Sequence, residues 1–211
     1  MEVPPQGLRL PPRILYLDIE TALMRVDLFS LYVPGKYISW RNIHKRSYVI
    51  CWSAAWVSSD KPSRVRSDVV TQAEAKRGKD KRCLQGLFAM MDAADYIITH
   101  NGNKFDLRKL NTRYLLNGMD APLTYKPIDT LALAKKHFAA DSNALEHWSL
   151  LLGGERKDDM RLEHWQRICD NGDPKSLARM VKYCRGDVRE GVHVFQEFRR
   201  WIESSGKQVY R

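Results

Sequence analysis

Three short acidic patterns carry the chemistry this sequence can do. Asp18-Ile19-Glu20-Thr21 closes an apolar run, Arg13 to Ile19, that predicts a strand. Alternation along a strand sets Asp18 and Glu20 on one face. The stretch from Asn101 through Gly102, Asn103 and Lys104 to Phe105 and Asp106 runs from a loop into a predicted helix. Tyr183-Cys184-Arg185-Gly186-Asp187 falls within a long helical region, where a spacing of four puts phenol and carboxylate on one face. Singly, the outer patterns are common: D-x-E and Y-x-x-x-D each arise by accident about 0.7 times in such a chain. Tyr125 and Asp129 also match the latter, although Pro127 argues against a shared helix there. The middle pattern, N-x-x-x-[FY]-D, is rarer, at about 0.04. Order and local setting together make the set informative.

Four carboxylates brought into one place need a reason. Two of them about 4 Å apart repel by roughly 4 kcal/mol at an effective dielectric of about 20. A convergent set raises its own pKa values or draws in cations. All-oxygen ligation suits magnesium or manganese better than zinc. Two such ions, roughly 3.5–4 Å apart, can hold the attacking and leaving oxygens of an in-line displacement at phosphorus. A phenol with a pKa near about 10 is a poor general base at neutral pH, which argues against that role for Tyr183. The competing reading is a solvated surface, with Asp106 capping its helix and Asp187 paired to a neighbouring arginine.

The elements that must position these groups are legible in outline. Ser47 to Val57 predicts a second strand, rich in β-branched and aromatic residues, and Arg64 to Val70 a third that pairs with it across Ser58 to Ser63. A basic stretch, Ala73 to Arg82, leads into an apolar-periodic helix over Cys83 to Met91. Tyr96 to Thr99 and Lys126 to Ile128 read as short strands, with a helix from about Asp106 to Leu116 between them. Helices follow over Ala144 to Leu152, ended by Gly153 and Gly154, and over Arg161 to Cys169. Pro174 suits the first turn of a helix from about Asp173 to Trp201, in which Gly186 serves a close approach or a bend. Strands, then alternating elements, then helices indicate an α/β domain with a mixed sheet.

Composition bounds the partners. The 211 residues carry 35 basic and 25 acidic side chains, a net charge of +10, which points to a polyanion. No apolar run has the length of a membrane span. The Pro-rich start lacks the apolar stretch of a signal peptide, so a cytoplasmic location is expected. Cys51, Cys83, Cys169 and Cys184 show no C-x-x-C spacing, and reduced, buried thiols are expected.

The motifs LDIET, HNGNKFD and YCRGD, in this order, resemble the DEDD exonuclease superfamily in its tyrosine branch. The nearest likeness is to stand-alone phage and bacterial relatives of the proofreading exonuclease domain of family-B DNA polymerases. PIDTLALAKKHF and SNALEHWSLLLGGERK are similar to the linking segment of those enzymes, so the resemblance covers most of Arg13 to Phe195. Lys182 stands where the histidine branch would need its histidine. The resemblance implies a ribonuclease H-like α/β fold with a mixed, roughly five-stranded central sheet flanked by helices. It implies one exonuclease domain over residues 13–203, with an irregular arm at 1–12 and a tail at 204–211. It further implies metal-dependent 3′→5′ digestion to nucleoside 5′-monophosphates, with two Mg2+ or Mn2+ ions. Asp18 would bridge both ions, Glu20 and Asp187 would complete the water-activating site, Asp106 would hold the second ion, and Tyr183 would orient the water.

The same likeness offers Thr21, His100, Asn101 and Phe105 as nucleic-acid contacts. Thr21 could equally cap a turn, His100 could be a satisfied loop histidine, and Phe105 could be core. Asp129 is favoured as an N-cap. Two basic clusters could follow a strand's phosphates: Lys76, Arg77, Lys79, Lys81 and Arg82, and His44, Lys45 and Arg46 beside Trp40. Trp52 and Trp56 are expected in the core. DNA is preferred to RNA as partner only through the family likeness. A ribonuclease of the same superfamily, a non-catalytic binding module, and a proofreader acting in trans for a separate polymerase are the alternatives.

Overall fold

The computed structural model describes residues 11–28, 30, 35, 38–57, 64–154 and 159–209. Residues 1–10 of the expected arm, the turn at 58–63 and residues 210–211 of the expected tail lie outside the described residues. A five-stranded mixed sheet forms the centre, from β1 (Ile14–Thr21), β4 (Val49–Trp56), β5 (Arg66–Val69), β6 (Tyr96–Thr99) and β7 (Lys126–Asp129). They lie in the order β5-β4-β1-β6-β7. β1 runs antiparallel to β4 and parallel to β6, and β6 runs parallel to β7. A two-stranded ribbon, β2 (Arg25–Val26) and β3 (Ile43–Lys45), stands apart from this sheet.

The central position of β1 follows from its sequence. Ile14 to Leu17 are all at most 5% exposed, as a strand covered on both faces requires. Its odd row, Leu15, Leu17 and Ile19, joins the larger core cluster, while Ile14 and Tyr16 join a second one with Val188, Val192 and Phe195. Asp18 and Glu20 continue that even row. The second cluster therefore ends in acids, and the strand's period of two fixes which side they face. β4 is buried almost end to end and separates β1 from β5. Trp52 is core, its indole N–H donating to the Cys83 carbonyl at 2.6 Å, and Trp56 packs against the larger cluster.

The helices are α1 (Gln72–Arg77), α2 (Lys81–Asp92), α3 (Asp106–Leu116), α4 (Thr130–His137), α5 (Leu145–Leu151), α6 (Leu162–Asn171) and α7 (Pro174–Ser204). The basic stretch before Cys83, to which the sequence reading gave no element, is partly helical. Residues 72–77 form α1, closed by a reciprocal Thr71–Glu74 capping box and ended by Gly78 in the left-handed region. α2 then starts at Lys81, two residues earlier than its apolar pattern suggests.

α7 is one continuous helix of 31 residues, capped by Asp173 with Pro174 in its first turn. It crosses β1 and β4 and carries the third acidic motif. Gly186 does not serve a close approach: a methyl there would meet nothing within 4 Å. The close approach is one turn past Asp187, at Gly191, where a Cβ would lie 2.0 Å from Cζ and Oη of Tyr16. The missing side chain lets α7 settle onto β1.

Candidate metal centre

β1 and α7 meet as a ladder. Tyr16 faces Gly191, and two residues on, Asp18 is reached by Cys184, whose thiol lies 3.4 Å from its Oδ2. Asp187 lies between these two contacts on the helix. Ligand oxygens of Asp18, Glu20 and Asp187 all fall within 4.8 Å of one another, a spacing able to hold a metal ion. Asp106 is brought to them by the turn after β6. Its Oδ1 accepts from the Ile19 backbone N–H at 3.3 Å, so the carboxylate is tied to β1 between the two acids. Asp106 is the first residue of α3, whose N-cap position is Phe105, so the helix-capping alternative is set aside.

The charge state of the cluster shows the strain of gathering these acids. Asp18 is held well above the ordinary carboxylate range, first by burial and then by Asp106, Asp187 and Glu20; the Cys184 thiol works the other way. Asp106 is pushed up to about 7, chiefly by burial, with Asp129 and Asp187 adding to it and two backbone N–H groups opposing it. The Tyr16 phenol, wholly buried beneath the cluster, is raised far above its usual value by burial and by the same acids, so it stays neutral. An oxygen-only donor set of this kind suits a hard divalent cation.

The loop that delivers Asp106 is built for a tight path. Asn101 is the one non-glycine residue with positive φ among the described residues, at 65°, a conformation asparagine tolerates well. Its N–H donates to Asp129 Oδ1 at 2.8 Å. A Cβ on Gly102 would lie 2.2 Å from Thr99 Oγ1, so only glycine fits there. Asp129 caps α4 as expected, the same Oδ1 accepting from Leu131 and Ala132. It is a fifth acid beside the cluster, fully occupied by N–H donors on one oxygen.

The remaining sequence candidates separate. Phe105 is 43% exposed beside Asp106, which removes the core-packing alternative. Thr21 follows a register shift at the end of β1, and its carbonyl accepts from the Trp165 indole at 3.1 Å. Tyr183 lies one turn before Asp187 on α7, half-buried against the core. His100 is turned inward: one ring nitrogen meets Thr130 Oγ1 at 2.9 Å and the other the Asn143 carbonyl at 3.0 Å. It supports the loop and has no ring nitrogen to spare for a phosphate. In the basic clusters, Arg82 is bound to Glu74, Asp68 and the Val69 carbonyl, and Lys45 to the Cys169 carbonyl. Those two are structural cations, while Lys76, Arg77, Lys79 and Lys81 are exposed. All four cysteines are free and buried. Tyr16, Cys184 and Gly191 were missed in the sequence. Only the position of Tyr16, two residues before Asp18, and of Cys184, inside the third motif, could have signalled them.

Residues 42–199 match the RNase_H superfamily, and the chain belongs to it. Its sheet and flanking helices are the ribonuclease H-like fold that the motifs implied. The match begins after β1, so Asp18 and Glu20 lie outside it. Among solved structures, the chain is similar to the family B DNA polymerase from the hyperthermophilic archaeon Pyrobaculum calidifontis, with 18% identity and a TM-score of 0.61. That likeness covers 91% of this chain and 25% of the polymerase, and it is one of fold. No curated protein matches. No helix among the described residues is long and apolar enough to cross a membrane.

Proposed function

We propose that this protein is a 3′→5′ exonuclease of the DEDD type, in the tyrosine branch, trimming the end of a DNA strand to nucleoside 5′-monophosphates. The observation that carries the reading is the convergence of Asp18, Glu20 and Asp187 within 4.8 Å, with Asp106 anchored on the same strand. Superfamily membership supports a nuclease acting on nucleic acid. The three motifs in order support the finer assignment to the tyrosine branch.

Asp18, Glu20, Asp106 and Asp187 are the residues that would hold Mg2+ or Mn2+. Such ions supply a Lewis acid that acidifies a water and neutralises charge developing at phosphorus. Tyr183, placed one turn from Asp187, orients the attacking water through its hydroxyl. Exposed Phe105 and the left-handed Asn101 present a ring and an amide to the terminal nucleotide, with Thr21 at the end of β1. DNA is favoured over RNA through the likeness of the motifs and fold to family B DNA polymerases.

The test uses end-labelled single-stranded DNA and RNA with Mg2+, Mn2+ or EDTA, comparing the wild type with Asp18→Ala and Asp187→Ala. Stepwise, metal-dependent loss from the 3′ end, abolished in both variants, is expected. Binding without cleavage under every metal would show a binding module instead.

A further inference from the structure

We propose that the far ends of α4 and α7 together form a second contact for nucleic acid, gripping the body of the strand whose end lies at the acids. The proposal rests on the nuclease reading above and extends it to a surface that reading does not use.

Both helices leave the acidic cluster and meet again away from it. α4 starts at Asp129, which holds the Asn101 loop, and ends at His137. α7 passes Asp187 and reaches Trp201 fourteen residues later, about 21 Å along at ~1.5 Å per residue. There the Trp201 ring packs 4.9 Å from Phe138 and 6.5 Å from His137, so the two ends are stitched together. Even so, Trp201 remains 53% exposed, a large flat apolar surface facing water.

Lysines lie on both elements near that ring. Lys135 and Lys136 are exposed in the last turn of α4, and Lys207 is exposed just past the end of α7. Burial holds the His137 pKa down, and Lys136 and Lys207 add to it, so lysines of both elements lie near this ring. Near the end of α7, Glu203 is engaged with Arg199 and Glu197 with Arg200, while Asp141 is the one exposed acid just beyond Phe138. Among the described residues none of the three lysines has an ion pair. An exposed indole with lysines on the same pair of helix ends suits a single strand, with a base stacked on the ring and phosphates on the ammonium groups. A flat apolar patch meant for a protein would be poorer in charge at its centre. At ~3.4 Å per stacked nucleotide the separation corresponds to about six nucleotides. Short oligonucleotides that fill the acidic site therefore do not reach the patch, and long ones do.

The experiment measures anisotropy of labelled oligodeoxynucleotides of four and twenty nucleotides on the full chain in EDTA. Trp201→Ala is expected to weaken the 20-mer at least about five-fold, the lower end of a lost base stack. Lys136→Ala with Lys207→Ala leaves the rings in place, and should lower the magnitude of the salt slope for the 20-mer by about 1.4, at ~0.7 per phosphate contact. The 4-mer should be unaffected in both variants. Loss of equal size on both lengths, or 20-mer binding within two-fold of wild type in both variants, overturns the proposal. Metal-dependent trimming of the 4-mer is followed separately. Its absence in the wild type would sink the nuclease reading, while the EDTA binding data still decide the patch.

Discussion

Two glycines five residues apart on α7 should respond to the same substitution with opposite signs. In a helix interior, alanine is better than glycine by about 1 kcal/mol, because glycine loses more backbone freedom on folding. At Gly186 a methyl meets nothing within 4 Å, so Gly186→Ala should gain most of that amount. At Gly191 the same methyl would lie 2.0 Å from Cζ and Oη of Tyr16, a ring only 1% exposed between β1 and the helix. The ring cannot retreat into solvent, and neither can β1, which is paired on both sides. Overpacking costs roughly 1–3 kcal/mol, and a contact this close belongs near the top of that range, about 2–3 kcal/mol, which exceeds the propensity gain. Gly191→Ala should therefore be destabilised by about 1–2 kcal/mol net, and relief by tilting α7 would draw Asp187 away from Asp18. Urea unfolding midpoints in EDTA read the first effect, and calorimetric Mn2+ titration reads the second as weaker binding. In a Tyr16→Leu background, where the outer ring atoms are gone, Gly191→Ala should cost less by about 1 kcal/mol or more. If Gly191→Ala stabilises as Gly186→Ala does, the helix does not rest on Tyr16 and the ladder that positions Asp187 is wrong.

Further expectations concern charge. Asp106 is pushed up to about 7 in the cation-free protein, whereas an unfolded aspartate titrates near about 4. The folded state thus retains a proton that the unfolded state has lost. This contribution is fully present below about pH 4, falls as pH rises toward 7, and is level beyond. Urea midpoints in EDTA should decline more steeply between pH 5 and 7 in the wild type than in Asp106→Asn; identical slopes would assign the decline to other groups. Cys184→Ala removes the thiol that lowers the pKa of Asp18, so the acid limb of Mn2+ binding should move to higher pH. An unmoved limb would mean the thiol does not tune this carboxylate. Asp80, fully buried, accepts from Nε and Nη2 of Arg113, each at 2.7 Å, and from Asn117. Arg113→Ala should cost about 3–5 kcal/mol by stranding that charge, seen as a fall in unfolding midpoint; a loss under 1 kcal/mol would refute it.

The sequence by itself determined the parts whose cause is local. Period-two alternation in β1 assigned Asp18 and Glu20 to one face, and a spacing of four assigned Tyr183 and Asp187 to one side of a helix. Pro127 kept Tyr125 and Asp129 out of a helix, and they lie at and beside β7. Asp129 was readable as a cap because capping acts over two or three residues. The Thr71–Glu74 box was equally local and equally legible, yet the basic residues after it masked the helix. Tertiary structure alone decided which glycine meets a neighbour, since an absent side chain carries no trace of what fills its space; hence Gly191 and not Gly186. It turned His100 inward onto Thr130 and Asn143, left Phe105 in the open, and committed Lys45 and Arg82 to structural bonds. It also joined the ends of α4 and α7, more than sixty residues apart in the chain, into one cationic surface. Contacts of that kind depend on how finished elements pack, and packing is settled by the whole chain at once.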